Sequence, residues 1–236
     1  MTVVRDILRR VGRRLVWLWK IYAVRDRMIR DLARWHNDRG DATLRLNYPL
    51  TSDSVVLDCG GYRGDWANNI FDRFGCNIFI FEPVPEFASF IRARFAAQPK
   101  IRIFDYGVGR IDNFLTLHQN GDGSSVFRQN GEPIQVRIRN IGAVLRELNV
   151  QTIDVMKVNI EGGEFDLVKH LVDSGLIKQI RDLQVQFHKI REDSEIRYEA
   201  LQKSLARTHE LTYHYYFVWD NWQLRKPESH RYAELV

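Results

Sequence analysis

The sequence predicts an α/β fold: a mostly parallel, doubly wound sheet with a β insertion and an amphipathic helical extension at its amino terminus. Three observations carry that prediction. From residue 54 onward, apolar runs of strand length alternate with segments of helical period. The first run, Val55–Cys59, empties into the glycine-rich turn Asp58-Cys-Gly-Gly-Tyr-Arg-Gly64. A run about a hundred residues later carries Lys157, Asn159 and Glu161 at alternate positions and then breaks at Gly162-Gly163. Side chains two apart on a strand share a face, so these three converge at a carboxyl end, where open α/β sheets bind ligands.

At 236 residues, 44% of them hydrophobic, the chain has the length for one α/β domain with an appendage and enough apolar content for a full core. Two cysteines, Cys59 and Cys76, fall inside expected core elements and suit a reducing compartment. The longest apolar stretch near the amino terminus, residues 15–19, is far below the roughly 20 residues of a spanning helix, and no cleavage pattern follows it. A cytoplasmic protein is therefore expected. The formal charge of +5 is uneven: residues 1–30 hold nine basic side chains against Asp6 and Asp26, which leaves the remainder slightly acidic.

Val4, Ile7, Leu8, Val11, Leu15, Leu18, Tyr22 and Ile29 recur at helical spacings among arginines, so residues 3–36 are expected as an amphipathic helix, widened by Trp17 and Trp19. Its apolar face suits packing on the domain or on a second copy of the chain. Its Trp, Leu and Arg content equally suits an anionic membrane surface, with peripheral attachment through residues 1–36. Nucleic acid is not expected as a partner, because no basic face continues beyond this segment. Residues 40–49 are expected as a linker, with the domain boundary between residues 48 and 49.

Strands are then expected at 55–59, 77–81 and 100–104, with helices at 65–74 and 86–97 between them. Residues 111–139 break the rhythm. Within them, 114–118 and 134–139 are expected as antiparallel strands around Gly121-Asp-Gly-Ser-Ser125, a β insertion hanging over the binding edge. A helix at 141–148 leads to a fourth strand at 153–160, a helix at 164–174, a fifth strand at 180–187 and a helix at 194–208. Residues 209–216 and 217–224 close the sheet as a pair of strands.

Gly60, Gly61 and Gly64, with Tyr62 between them, form a turn in which backbone can approach a ligand closely. Dinucleotide-binding turns have a different glycine spacing and lay pyrophosphate on a helix amino terminus, which carboxylates at Asp58 and Asp65 would oppose. Acids there suit a ligand with an ammonium group and hydroxyls. Glu82, followed by Pro83, ends the second strand, from which an acid can accept hydrogen bonds from both ribose hydroxyls. Asp105, at the end of the third strand, has the reach for an adenine amino group. Together these residues describe a site for a nucleoside bearing an amino-acid tail, which is S-adenosylmethionine.

Leu57-Asp-x-Gly-Gly-x-x-Gly64, Phe81-Glu-Pro83 and Lys157-Val-Asn-Ile-Glu-Gly-Gly-Glu164 resemble the FkbM family of S-adenosylmethionine-dependent methyltransferases, over about residues 55–222. The resemblance implies a class I Rossmann-like methyltransferase fold and O-methylation, often of sugars in surface polysaccharides or of natural products. Members of the family commonly carry Asp where this chain has Asn159. The segments Gln184-Val-Gln-Phe-His188 and Trp219-Asp-Asn-Trp222 look like the bacterial, glycan-associated members.

Methyl transfer to a hydroxyl needs in-line placement and a group to take the proton. His188 is the expected general base, and Glu161 is the alternative group to orient or deprotonate the acceptor hydroxyl. Asn159 is expected to hold the amino-acid end of the cofactor. Ser124, Ser125, Trp219, Asp220, Asn221 and Trp222 are expected to line the acceptor cleft, and Lys157 to pair with Glu161 or another carboxylate. No metal is expected: the histidines and cysteines show no ligand spacing, and an amide at 159 weakens a cation site with Glu161. Rival readings are a nucleotide-dependent oxidoreductase and a non-catalytic membrane-associated adaptor.

Overall fold

The computed structural model describes residues 26–120, 123–125 and 132–226. Helix α1 (Arg27–Asn37) begins at Asp26, whose carboxylate accepts from Ile29 N at 3.2 Å and so satisfies one of the unpaired N–H groups of the first turn. Strand β1 (Val55–Cys59), helix α2 (Asp65–Phe74), strand β2 (Asn77–Phe81), helix α3 (Pro85–Arg94) and strand β3 (Ile101–Phe104) follow in alternation. Pro85 opens α3, where a missing N–H leaves nothing unpaired. Four strands come next: β4 (Gly107–Gly109), β5 (Asn113–Asn120), β6 (Gly123–Ser125) and β7 (Glu132–Asn140). Helix α4 (Ile141–Glu147) is capped by Asn140, whose side chain accepts from Ala143 N at 2.8 Å. The chain ends with β8 (Ile153–Val158), α5 (Glu164–Asp173), β9 (Ile180–Val185), α6 (Ser194–Leu205), β10 (His209–Tyr215) and β11 (Trp219–Leu224).

The main sheet has the order β10-β11-β9-β8-β1-β2-β3. Only β11 runs against the others, paired antiparallel to both β10 and β9. β1, β2, β8 and β9 are buried along almost their whole length, as parallel strands covered by helices on both faces must be. Adjacent residues of one strand feed opposite cores. Leu57, Met156 and Leu183 pack with Val144 of α4, Leu167 of α5 and Leu201 of α6, whereas Val56, Ile78 and Val155 pack with Ile70 of α2 and Ile91 of α3. This is the Rossmann-like, doubly wound α/β fold that the alternating pattern predicts.

The β insertion is a separate sheet with the order β4-β7-β5-β6. Its β5–β7 pair is antiparallel as expected, running from Asn113 opposite Ile138 to Gln119 opposite Glu132. The two short strands β4 and β6 are additions that no hydrophobic period announces. Leu117 and Val136 of the insertion pack on Val84 and Phe87 at the start of α3, which seats the small sheet over one end of the large one.

The expected linker and domain boundary need correction. Of the helix expected over 3–36, residues 3–25 lie outside the described residues, and α1 covers the remainder. Trp35 of α1 is 2% exposed and packs edge-on against Tyr215, with ring centroids 5.1 Å apart. Arg45 lies 3.9 Å over the Trp219 ring and donates to Gln184 at 3.1 Å, while the Tyr48 hydroxyl donates to Asn221 Oδ1 at 3.1 Å. Residues 26–48 are thus part of the domain, because a tryptophan and a tyrosine there bury large rings against the β10–β11 edge. Among the described residues no helix is long and apolar enough to cross a membrane.

Candidate active site

Strand order reverses between β1 and β8, and both strands deliver their carboxyl ends to one rim. Gly60 leaves β1 at φ +87°, and a Cβ on it would stand 2.0 Å from Asn159 O. Only glycine lets the two strand ends approach so closely. Gly61 and Gly64 turn their backs to Ile80 and Phe95, shaping the loop from behind. Tyr62, at φ +50°, donates its N–H to Glu82 Oε2 at 2.8 Å, and Val84 N donates to Glu82 Oε1 at 2.9 Å. Glu82 therefore clamps the first loop to the second, and each oxygen keeps a further lone pair for a ligand. Burial pushes its carboxyl up to about 7, against the opposing pull of the two N–H bonds.

Asp58 does not take the role expected of it. It is wholly buried and paired with Lys157, whose Nζ lies 2.8 Å from Asp58 Oδ1 and 2.6 Å from Gly60 O. The pair lies beneath the glycine loop, and Asp58 does not line the cavity described below. Lys157 is accordingly the partner of Asp58, not of Glu161. Asp65 is likewise turned outward, to Arg94 at 2.5 Å. Asn159 does line the cavity, and its Oδ1 is buried with no hydrogen-bond partner among the described residues.

The rim encloses a cavity of about 690 Å³. Gly60, Tyr62, Glu82, Pro83, Asn159 and Glu161 all contribute to its wall, so those site residues are brought together as expected. Val84 and Phe87 at the start of α3 and Leu115, Leu117 and Ile138 of the insertion add an apolar wall. Asp105 is not part of it. Its side chain is 68% exposed and faces Arg92 at 3.9 Å, although the chain joins the cavity wall two residues later at Gly107.

Glu161 reaches the cavity from a strained turn, at φ +51°, followed by Gly162 at φ +109°. Behind it is His188, whose Nε2 lies 3.5 Å from Glu161 Oε1. His188 itself is not in the cavity wall and is reached through Glu161. Its Nδ1 lies 2.9 Å from Glu164 Oε1, which also accepts from His188 N at 2.6 Å. Glu164 has no exposed surface, and its Oε2 accepts from Gly162 N at 2.7 Å. Three side chains from two loops thus form a line leading inward from the cavity.

Four of the expected acceptor residues, those of β11, are corrected. Trp219 and Trp222 are buried in separate parts of the core. Asp220 accepts from the Tyr198 hydroxyl at 2.6 Å and Gln202 Nε2 at 2.8 Å, while Asn221 donates to Asp182 at 2.9 Å. All four lie in β11, which is covered on both sides of the sheet and flanked by β9 and β10, so none faces the cavity. Ser124 and Ser125 fall on β6 by their backbone, and their side chains lie outside the described residues. Reading the sequence missed Glu164 and the apolar wall. An acid at the first position of a helix looks like an ordinary favourable charge there, and alternating Leu115 and Leu117 look like a half-buried strand. Among the described residues no group of three or more His, Cys, Asp or Glu side chains is arranged to hold a metal ion.

A family model described as the methyltransferase FkbM domain matches residues 58–215. The 2-O-methyltransferase NoeI of Sinorhizobium fredii is 26% identical over 137 residues, a match covering 49% of this chain and 56% of that protein. The chain therefore spans little more than half the length of that relative. Among solved structures, the precorrin-6y C5,15-methyltransferase of Geobacter metallireducens aligns at 12% identity over 80% of this chain and 88% of its own, with a TM-score of 0.45. Aeropyrum pernix fibrillarin, solved with natively bound S-adenosyl-L-methionine, aligns at 11% identity over 78% and 74%, with a TM-score of 0.46.

Proposed function

The chain belongs to the methyltransferase FkbM domain family, and on that premise we propose that it is an S-adenosylmethionine-dependent O-methyltransferase acting on a sugar hydroxyl of a glycan, a polysaccharide intermediate or a glycosylated natural product. The observation that carries the reading is the convergence of Glu82, Asn159 and Glu161 on one cavity at the switch point of the sheet. Transfer to oxygen and to a sugar draws further support only from the family resemblance and from the 2-O-methyltransferase relative.

The residues present fit the cofactor. Glu82 has lone pairs for the two ribose hydroxyls, Val84, Phe87 and Leu117 offer an apolar surface to an aromatic base, and the unpartnered Oδ1 of Asn159 suits an ammonium group. When bound, S-adenosylmethionine supplies a methyl group activated by its sulfonium. Holding an acceptor in line in the same cavity lowers the barrier by roughly 7–11 kcal/mol when the geometry is good. Glu161, in the wall, takes the proton from the acceptor hydroxyl, and His188 receives it at Nε2 from 3.5 Å behind. A base of this kind contributes about 10²- to 10⁴-fold. The role of His188 is thus one step removed from the acceptor.

Isothermal calorimetry with S-adenosylhomocysteine tests the reading directly. Binding to the folded protein is expected, and absence of binding overturns it. A rise in melting temperature with NAD(H) instead would favour an oxidoreductase. Attachment to an anionic membrane is proposed on the arginine and tryptophan content of the amino-terminal segment alone. Its test is vesicle flotation of the full chain against a chain lacking residues 1–25, which spares Trp35; equal flotation removes the proposal.

A further inference from the structure

Glu164 is a buried acid that the reaction above leaves without a role. It opens α5, has no exposed surface, and its two oxygens accept two backbone N–H donors from different loops while one of them also faces a ring nitrogen of His188. Oε2 takes Gly162 N at 2.7 Å, while Oε1 takes His188 N at 2.6 Å and stands 2.9 Å from His188 Nδ1. We propose that Glu164 is the positioning residue of this site: it fixes His188 as the Nδ1–H tautomer, so that Nε2 is left to accept a proton, and it sets the turn that brings Glu161 to the cavity. The purpose assigned to this arrangement rests on the methyltransferase reading, whereas the arrangement itself does not.

The tautomer follows from donor and acceptor arithmetic. An ionised carboxylate only accepts, so the ring nitrogen facing Glu164 must carry hydrogen. In a neutral imidazole the other nitrogen then holds a lone pair, and here that nitrogen is the one 3.5 Å from Glu161 Oε1. A proton arriving at Glu161 has an acceptor next to it. With the opposite tautomer, lone pairs would oppose each other at 2.9 Å beside the wholly buried Glu164, whereas the tautomer proposed opposes them only at 3.5 Å beside the part-exposed Glu161.

The second half of the role concerns the turn. A left-handed conformation at a residue with a side chain costs roughly 1–2 kcal/mol, and Glu161 adopts it at φ +51°. The bond from Gly162 N to Glu164 Oε2 supplies a fixed partner immediately after that residue. One carboxylate therefore holds both Glu161 and His188 in place. Glutamine cannot do the same, because it has one oxygen for donors lying on two sides. Whichever way the amide is turned, an NH2 group meets either Gly162 N–H or the two His188 donors.

The test is nitrogen-15 NMR of the full chain with labelled histidine, above the pH at which the imidazole is neutral. His188 resonances are assigned by their disappearance in His188→Asn, whose amide can still donate to Glu164. In the wild type the ring proton is expected on Nδ1. In Glu164→Gln the expected result is a proton on Nε2 or a mixture of tautomers, with S-adenosylhomocysteine bound within about threefold of the wild-type affinity. A wild-type ring protonated at Nε2 alone overturns the proposal, and does so even if Glu164→Gln fails to fold. An unchanged ring spectrum in folded Glu164→Gln overturns it as well, as does loss of S-adenosylhomocysteine binding confined to that variant. Failure of the wild type to bind S-adenosylhomocysteine would instead overturn the cofactor reading while leaving the tautomer result to stand.

Discussion

Lys157 Nζ lies 2.8 Å from Asp58 Oδ1, and the two residues are register partners on the adjacent parallel strands β8 and β1. Both are buried, and the same ammonium also donates to Gly60 O at 2.6 Å. The pair ties the two strands whose carboxyl ends form the site to the loop that crosses above them. Lys157→Met leaves Asp58 as a buried charge without a cation and is expected to cost about 3–5 kcal/mol of stability by urea denaturation. Adding Asp58→Asn to that variant removes the orphaned charge and should recover part of the loss. Equal stability of the single variant and the wild type would show that the pair contributes nothing.

Glu82 makes stability depend on pH in a stated direction. Its carboxyl titrates at about 7 in the folded protein, above an ordinary value of 4.5. Between those values the folded state holds a proton that the unfolded chain has released, so raising the pH favours unfolding. The stabilising contribution is fully present below about 4.5 and is lost as pH rises through about 7. Its size is on the order of 3 kcal/mol. Denaturation midpoints measured across that window should fall with rising pH, and the Glu82 part of the slope should vanish in Glu82→Gln.

The same carboxyl predicts how cofactor affinity responds to pH. A ribose diol donates to the carboxylate, and protonation removes one acceptor site. Affinity for S-adenosylhomocysteine is therefore expected to rise as pH increases through about 7. Calorimetry at several pH values checks this. A flat profile would separate Glu82 from the ribose.

Asn159→Ala separates binding from folding. Its Oδ1 is buried without a partner among the described residues, so removing it breaks no hydrogen bond of that atom with them. Stability should change by less than about 1 kcal/mol, whereas losing an acceptor for the cofactor ammonium should weaken S-adenosylhomocysteine binding about tenfold or more. An unaltered binding constant would move the amino-acid end of the ligand elsewhere in the cavity.

Trp35→Ala tests whether residues 26–48 belong to the domain. The ring is 2% exposed against Tyr215, Val218 and Trp219, and its removal should cost about 3–5 kcal/mol. Affinity for S-adenosylhomocysteine should be unchanged at temperatures where the variant is folded, because this edge is remote from the cavity wall. A variant as stable as the wild type would restore the linker expected from the sequence.

Much of the site was legible because strand ends are punctuated by residues with few other uses. Gly60 sits where a Cβ would collide with Asn159 O, and Glu82 sits where an acid ends a buried strand. Those positions fall at the rim whatever the details of packing. Residues 219–222 misled for the opposite reason: two tryptophans with Asp and Asn between them suit a sugar cleft and a strand flanked on both sides equally well. Their alternation carries no sign of which neighbours will cover them. Asp105 and Asp58 were placed at the correct strand ends, but where an acid points depends on the cation beside it, Arg92 in one case and Lys157 in the other.

The sequence by itself determined the alternation of the main-sheet strands and helices, the doubly wound class and the positions of Gly60 and Glu82 at the rim, since hydrophobic period and glycine conformational freedom are local properties of the chain. Only the tertiary structure decided which charges meet. Asp58 and Lys157 are 99 residues apart, and His188 and Glu164 are 24 apart. Such pairs come together through strand register and the packing of a helix start against a neighbouring strand end, and neither can be read from spacing along the chain. Register placed a lysine against Asp58 and left the side-chain oxygen of Asn159 buried without a partner among the described residues, and the burial of Glu164 gave His188 its orientation.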